Sequence, residues 1–311
     1  MANETIENSN ESRQNAEPSG PLPVTLYTAE SAVRQPVALL REICSNIQIG
    51  RPLAWRMFVR NLRGIYRQTV LGLFWAFLPP LANTAIWVFL ASRKIVDFGD
   101  GIDVAYTAYV LAGMVLWQSF LEAINAPLRV VKSNSAMLRR LKFPRESILM
   151  VGLYETIFNL VIRSLVLVPI LVFFLWAPSM GFEKGAFWTW WTLLAPLGAL
   201  LLVLLGMGMG MLLLPFGMLY HDVGRALLAI TPIWMLFTQI IYPPPIENWA
   251  SSPFNWLNPA SPLLLATRDI LVIGQTDHLL AAGIYALIAV FLFVLGFVVY
   301  RVSIPILVER I

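Results

Sequence analysis

A chain of 311 residues that is 58% hydrophobic and only 13% charged, with mean hydropathy +0.70, carries more apolar surface than a soluble domain of its size can hide. A soluble globular protein is therefore excluded, and an integral membrane protein is expected. The net charge of +4 and pI near 9.3 do not point to nucleic acid, because the basic residues cluster beside apolar spans, where anionic lipid is the natural partner.

Residues 1–23 are rich in Asn, Glu, Ser and Pro and lack an apolar run. They read as a disordered tail rather than a signal peptide. Residues 37–49 have enough apolar character for a short helix, so the division expected is a polar N-terminus over 1–50 and a membrane domain over 51–311. Cys44 is the sole cysteine, which leaves no internal disulfide and no cysteine-based metal site.

The stretch from Pro52 to Ser92 reads as a basic amphipathic segment running without a break into an apolar one. Pro52 suits the first turn of a helix, where its missing N–H is not needed. Arg56, Arg60, Arg63 and Arg67 then share one face, while Trp55, Phe58, Val59, Leu62 and Ile65 fall on the other. Such a helix lies in a membrane interface, its rings among acyl chains and its guanidinium groups among headgroups. The plainer alternative is a positive flank on a first transmembrane helix, although a flank needs charge and not periodicity. Residues 70–92 carry no charge, enough to cross a hydrocarbon core of about 30 Å at about 1.5 Å per residue.

Five further spans are expected at about 104–127, 147–177, 186–219, 226–242 and 279–300, making an all-α, polytopic protein with six transmembrane helices. The third and fourth exceed what a perpendicular crossing needs, and Pro169 and Pro215 are candidate kinks. Arg129, Lys132, Arg139, Arg140, Lys142, Arg145, Arg225 and Arg301 fall on the side of the N-terminus. Only Arg93, Lys94, Lys184 and Arg268 lie opposite, so the positive-inside rule places both termini in the cytoplasm.

Two links between spans are patterned. Within residues 134–143, Met137, Leu138 and Leu141 can share a helical face while Arg139, Arg140 and Lys142 point elsewhere, before Pro144 stops the turn. The reading is a short amphipathic helix on the cytoplasmic face, gripped by another protein, against the alternative of a basic loop that only sets topology. On the outer side, residues 243–277 hold Trp249, Trp256, Asn258, Pro259 and an apolar run, 263–274, too short to span. Two short re-entrant helices joined at residues 258–262 would account for them. The tryptophans read either as interfacial anchors or as part of a lid.

Inside the spans, Gln118, Glu122, Asn125 and Arg129 follow helical spacing, as do Glu155, Asn159 and Arg163. Both stripes must face protein or water. Glu155 and Arg163 are too far apart to pair within one helix, so each needs a partner from another span. The stripes either glue the bundle together or line a path. Gly206, Gly208 and Gly210 permit close helix contact. Two histidines, His221 and His278, cannot assemble a metal site, and no Gly-Lys-Ser/Thr phosphate loop occurs. Energy for any transport must come from elsewhere.

The run Tyr66-Arg67-Gln68-Thr69, Leu71-Gly72, Trp75, Pro79 and Pro80 resembles the signature of permease subunits of ABC-2 type polysaccharide exporters, the O-antigen, capsule and teichoic acid family. Residues 138–144 are similar to that family's coupling helix, and Leu257-Asn258-Pro259 to its outer Asn-Pro turn. His221-Asp222-Val223 is similar to its Arg-Asp-Val turn, with His in place of Arg. The resemblance covers about residues 50–310. It implies a non-enzymatic transport subunit of the inner membrane, paired with a second copy of itself and two copies of a cytoplasmic ATPase that holds the ATP and Mg. The cargo implied is a lipid-linked polysaccharide on an undecaprenyl-type carrier.

On that resemblance Arg56, Arg60, Arg63, Tyr66 and Arg67 would receive the lipid headgroup, guanidinium being suited to phosphate. Trp75, Trp87, Glu122, Asn125, Glu155, Asn159 and Arg163 would line the channel, with Tyr66, Trp75 and Trp87 offering sugar-stacking faces. Met137, Leu138, Arg139, Arg140 and Leu141 would couple to the ATPase, and Trp249, Trp256, Asn258, Pro259 and Arg268 would form an outer gate. A permease for a drug or small lipid, an ion-driven secondary transporter and a non-transporting scaffold stand as alternatives.

Overall fold

The computed structural model describes residues 36–67, 72, 74–96, 104–140, 143–176, 188–220, 222–242 and 257–310. The chain divides into two compact units, Met1–Glu42 and Ile43–Ile311, and the apolar helices all belong to the second. Among the described residues the regular elements are helices: α1 (Pro36–Arg67), α2 (Phe74–Ser92), α3 (Tyr106–Ser133), α4 (Ser135–Arg140), α5 (Glu146–Trp176), a 3-10 turn (Trp190–Leu194) leading into α6 (Ala195–Leu219), α7 (Asp222–Phe237), α8 (Ser261–Val272) and α9 (Leu279–Arg310). Among the described residues five helical segments are long and apolar enough to cross a membrane: α2, α3, α5, the 3-10 turn with α6, and α9 over Leu279–Ile304. α7, where a further span is expected, has 16 residues, or about 24 Å at 1.5 Å per residue.

α3 is the central helix. It is buried along most of its length, whereas α2, α5 and α9 keep most of their apolar surface outward. Membrane helices lack a hydrophobic force drawing them together, so close approach of small residues decides their packing. A Cβ at Gly208 of α6 would sit 2.7 Å from the backbone of Leu292 and Phe293 in α9, and one at Gly296 would sit 2.6 Å from the Gly208 carbonyl oxygen. On the other side of α6, a Cβ at Gly206 would lie 2.7 Å from the Phe120 carbonyl oxygen. The glycine stripe thus wedges α6 between α3 and α9, as its spacing suggests.

Two features of the opening stretch differ from the sequence expectation. α1 starts at Pro36 and runs through Pro52, which is therefore internal to a 32-residue helix. Pro52 sits on the exposed side, so the carbonyl of Gln48 that loses its N–H partner is open to water or headgroups. The stretch is also broken: α1 stops at Arg67, α2 begins at Phe74, and between them Gly72 takes φ 48°, a conformation that interrupts a helix and suits glycine.

α8 is buried on every side, packed among α3, α6 and α9. Its last carbonyls are claimed by the start of α6: Trp188 Nε1 donates to Leu271 O (3.1 Å), Thr192 Oγ1 to Ile270 O (3.2 Å) and Thr189 Oγ1 to Gly274 O. These bonds answer the unpaired acceptors that any helix end carries, and Gly274 at φ 81° closes the turn.

Candidate functional site

Four charged side chains meet between α3 and α5. Arg163 Nη2 lies 2.8 Å from Glu122 Oε2, Arg129 Nη2 donates to Glu155 Oε2 at 3.2 Å, and Arg129 also reaches Glu122 Oε1 at 3.8 Å. Asn159 Nδ2 donates to Glu122 Oε1. Arg163 is completed by bonds from Nε to Ala76 O of α2 (3.0 Å) and from Nη1 to Ser119 Oγ (3.3 Å), and Asn61 Nδ2 of α1 donates to Glu155 Oε1 (3.1 Å). Two carboxylates face two guanidinium groups, so charge balances within the set, and four helices contribute. Breaking a buried pair costs about 3–5 kcal/mol where the remaining ion has no other partner, but here Arg163 keeps its bonds to Ala76 O and Ser119 Oγ.

The two stripes legible in the sequence thus face each other, and Glu155 and Arg163 find partners on other helices as their separation requires. Asn125 stands apart, its Nδ2 turned back to Leu121 O of its own helix (2.8 Å). Trp87 packs partly buried against the core, while Trp75 is exposed.

On α1 the arginines at 56, 60, 63 and 67 are all exposed, as one face. The apolar side is divided. Phe58 is buried and stacks on Tyr154 and Phe158 of α5 with centroids 6.0 and 5.8 Å apart, whereas Trp55 and Ile65 stay outward. The side chain of Tyr66 lies outside the described residues.

α4 is a single six-residue helix, hung on Asn134. That residue's carbonyl accepts from the N–H groups of Met137 and Leu138 (both 3.0 Å), and its Nδ2 donates back to Val130 O of α3 (2.8 Å). Leu138 is buried, Met137 is half-buried and Arg139 is exposed. The side chain of Arg140, and Leu141 altogether, lie outside the described residues.

At the far end Arg268 is fully buried. Its guanidinium carbon sits 3.8 Å from the centroid of the Tyr109 ring, Nη1 donates to Gln239 O (2.9 Å), and Nε and Nη2 donate to Asp269 Oδ1 (3.2 and 3.1 Å). Gln239 takes a positive φ of 56° to present that carbonyl. Asn258 accepts from Trp234 Nε1 (2.9 Å) and donates to Thr238 Oγ1 (3.0 Å), tying the turn before α8 to the end of α7. Pro259 follows in that turn, half-buried. Burial lowers the pKa of nearby His278 below its ordinary 6.5. Trp249, Trp256 and His221 lie outside the described residues.

Sequence reasoning passed over Asn46, Asn61, Ser119, Tyr109 and Asp269 as partners. It used Arg301 only to mark topology, yet Arg301 Nη1 pairs with the buried Glu146. The one available signal was a stripe: Asn46, Gly50, Ala54, Met57 and Asn61 recur at offsets of three and four, a second face of α1 about a third of a turn from the arginines.

Residues 52–272 match the family described as ABC-2 type transporter. The chain is similar to two O-antigen export system permease proteins RfbA from Klebsiella pneumoniae, 22% and 21% identical, each over 70% of this chain and 80% of the relative. It is also similar to an O-antigen export system permease protein RfbA from Myxococcus xanthus, 22% identical over 62% of this chain and 69% of the relative. With more than half of its length inside the family match, and with membrane-length apolar helices around a buried ion-pair network, this chain belongs to the ABC-2 type transporter family of integral membrane subunits.

Proposed function

We propose that this chain is the permease of an ATP-driven exporter that moves a lipid-linked polysaccharide from the cytoplasm across the inner membrane. The observation that carries the reading is the alignment with permeases named for O-antigen export along most of both chains. Two copies of the chain enclose the path and two copies of a separate ATPase drive it, holding the ATP and Mg; both termini are cytoplasmic. α7 with the turn to Tyr242 makes the sixth crossing, and α8 dips in from the outer face.

The geometry supports distinct tasks. The exposed arginine face of α1 suits a pyrophosphate head, since guanidinium offers two parallel donors to phosphate oxygens. α4, with Leu138 buried and the helix packed against α9 and α3, is where closure of an ATPase pushes. The Glu122–Arg163 network neutralises its own charges, which lets it stand beside a polar polymer without holding counter-ions. The test is removal of the gene from its native cell. Surface polysaccharide disappears and its lipid-linked form accumulates on the cytoplasmic leaflet; undiminished surface polymer defeats the proposal.

A further inference from the structure

α1 is fastened to the bundle differently from α3, α6 and α9. Those three approach backbone to backbone along glycine stripes, whereas α1 is held largely by side-chain tips. Its inner stripe carries an amide at each end. Asn46 Nδ2 donates to Glu146 Oε1 (3.2 Å), a carboxylate already paired with Arg301 of α9, and Asn61 Nδ2 donates to Glu155 Oε1 (3.1 Å), already paired with Arg129 of α3. Between them is one tight point: Gly50, buried, has the Ser147 side chain where its own Cβ would be.

Each polar fastening is therefore a neutral amide on a carboxylate whose charge is met by a third helix, and the rest of the seam is apolar, Phe58 against Tyr154 and Phe158. Losing the amide leaves the ion pair intact, so α1 can leave without stranding a buried charge. Position adds to this. Arg129 lies in the last two turns of α3, just before α4, while Glu146 and Ser147 open α5 just after it. α4 thus sits along the chain between α3, whose Arg129 pairs with Glu155, and the start of α5, where Glu146 and Ser147 meet α1.

We infer that α1 is a strap that pivots at Gly50 and is latched through Asn46 and Asn61, so that movement of α4 releases it from α5. The inference rests on the export reading above, in which α4 receives the push. It assigns α1 a moving part in the cycle, not a fixed anchor.

The experiment uses full-length protein with its ATPase in proteoliposomes, on a Cys44→Ser background. Trp55→Cys and Tyr154→Cys, at positions whose rings pack 5.9 Å apart while both latches stay intact, are joined by a short, reducible bis-thiosulfonate linker. The joined protein is expected to export about tenfold less than the same protein after reduction, within the usual range for coupled sites. ATP binding by the partner is expected to be unchanged. Export equal before and after reduction overturns the strap. In a second measurement Ser147→Cys, shielded under Gly50, is expected to react with maleimide several-fold faster when the ATPase is trapped with vanadate; an unchanged rate also overturns it. If the unlinked protein exports nothing and binds no ATPase, the export reading itself fails, and the strap falls with it.

Discussion

The bundle holds a buried arginine toward each of its ends, Arg163 on the side of α4, inner in the proposed orientation, and Arg268 on the side of α8, outer in that orientation, and the two are held in opposite ways. Arg163, on α5, is gripped by residues from two other helices, α2 and α3, in a set that extends through Arg129, itself 46% exposed, to α1. Arg268 is closed in by its sequence neighbour Asp269, one ring and one carbonyl, with no exposed surface. A set shared by many helices can change partners when one helix shifts, because alternative charges remain in reach. A closed pocket has no such alternative. The inner end is thus built to exchange contacts and the outer end to stay joined, α7, α8 and α3 moving together.

The largest effect that can break this comparison is at Arg268. Arg268→Ala strands Asp269 beside a buried ring and is expected to lower stability by about 3–5 kcal/mol, read as a fall in the thermal midpoint of detergent-solubilised protein. Arg268→Met combined with Asp269→Leu is expected to recover most of that loss. If the single variant is as stable as the parent, the outer end is not a welded unit.

A smaller loss is expected at the inner end. Glu122→Ala leaves Arg163 its bonds to Ser119 and Ala76 O, so about 1.5–3 kcal/mol is expected, the range for a hydrogen bond to a charged group. A double-mutant cycle of Glu122→Ala with Arg163→Met is expected to show non-additivity, since the two are in contact. Strict additivity in that cycle contradicts the pairing.

The smallest effect sharpens the contrast through pH. His278, at the outer start of α9, has its pKa lowered by burial. Below 6.5 the unfolded chain therefore binds a proton before the folded one does. Stability is full above that pH and declines as pH falls through the window down to the lowered value. His278→Gln is expected to flatten this slope; an identical slope in the variant assigns it to other groups.

Much of the fold was legible because it is local. Apolar runs of membrane length, the arginine face of α1 and the short helix before Pro144 follow from periodicity and hydropathy along one segment. Pro52 misled for the same reason: proline is favoured at a helix start, and only the exposed carbonyl of Gln48 shows why the helix can pass through it. α8 read as a short dipping helix, yet its burial by α3, α6 and α9 depends on helices far away in the chain. The polar stripes were visible, but Asn125 lies on one of them and bonds only its own helix, a distinction that spacing cannot draw.

The sequence by itself determined that this is a helical membrane protein and that its cationic residues concentrate on one expected side. Each follows from composition or from spacing within one helix. Only the tertiary structure decided which carboxylate meets which arginine, that α1 breaks from α2 at Gly72, and that α1 rests on α5 through Asn46, Gly50 and Asn61. Charges inside a membrane must find partners, but the choice among partners is made by helix packing, and the glycine contacts that set this packing join segments far apart along the chain.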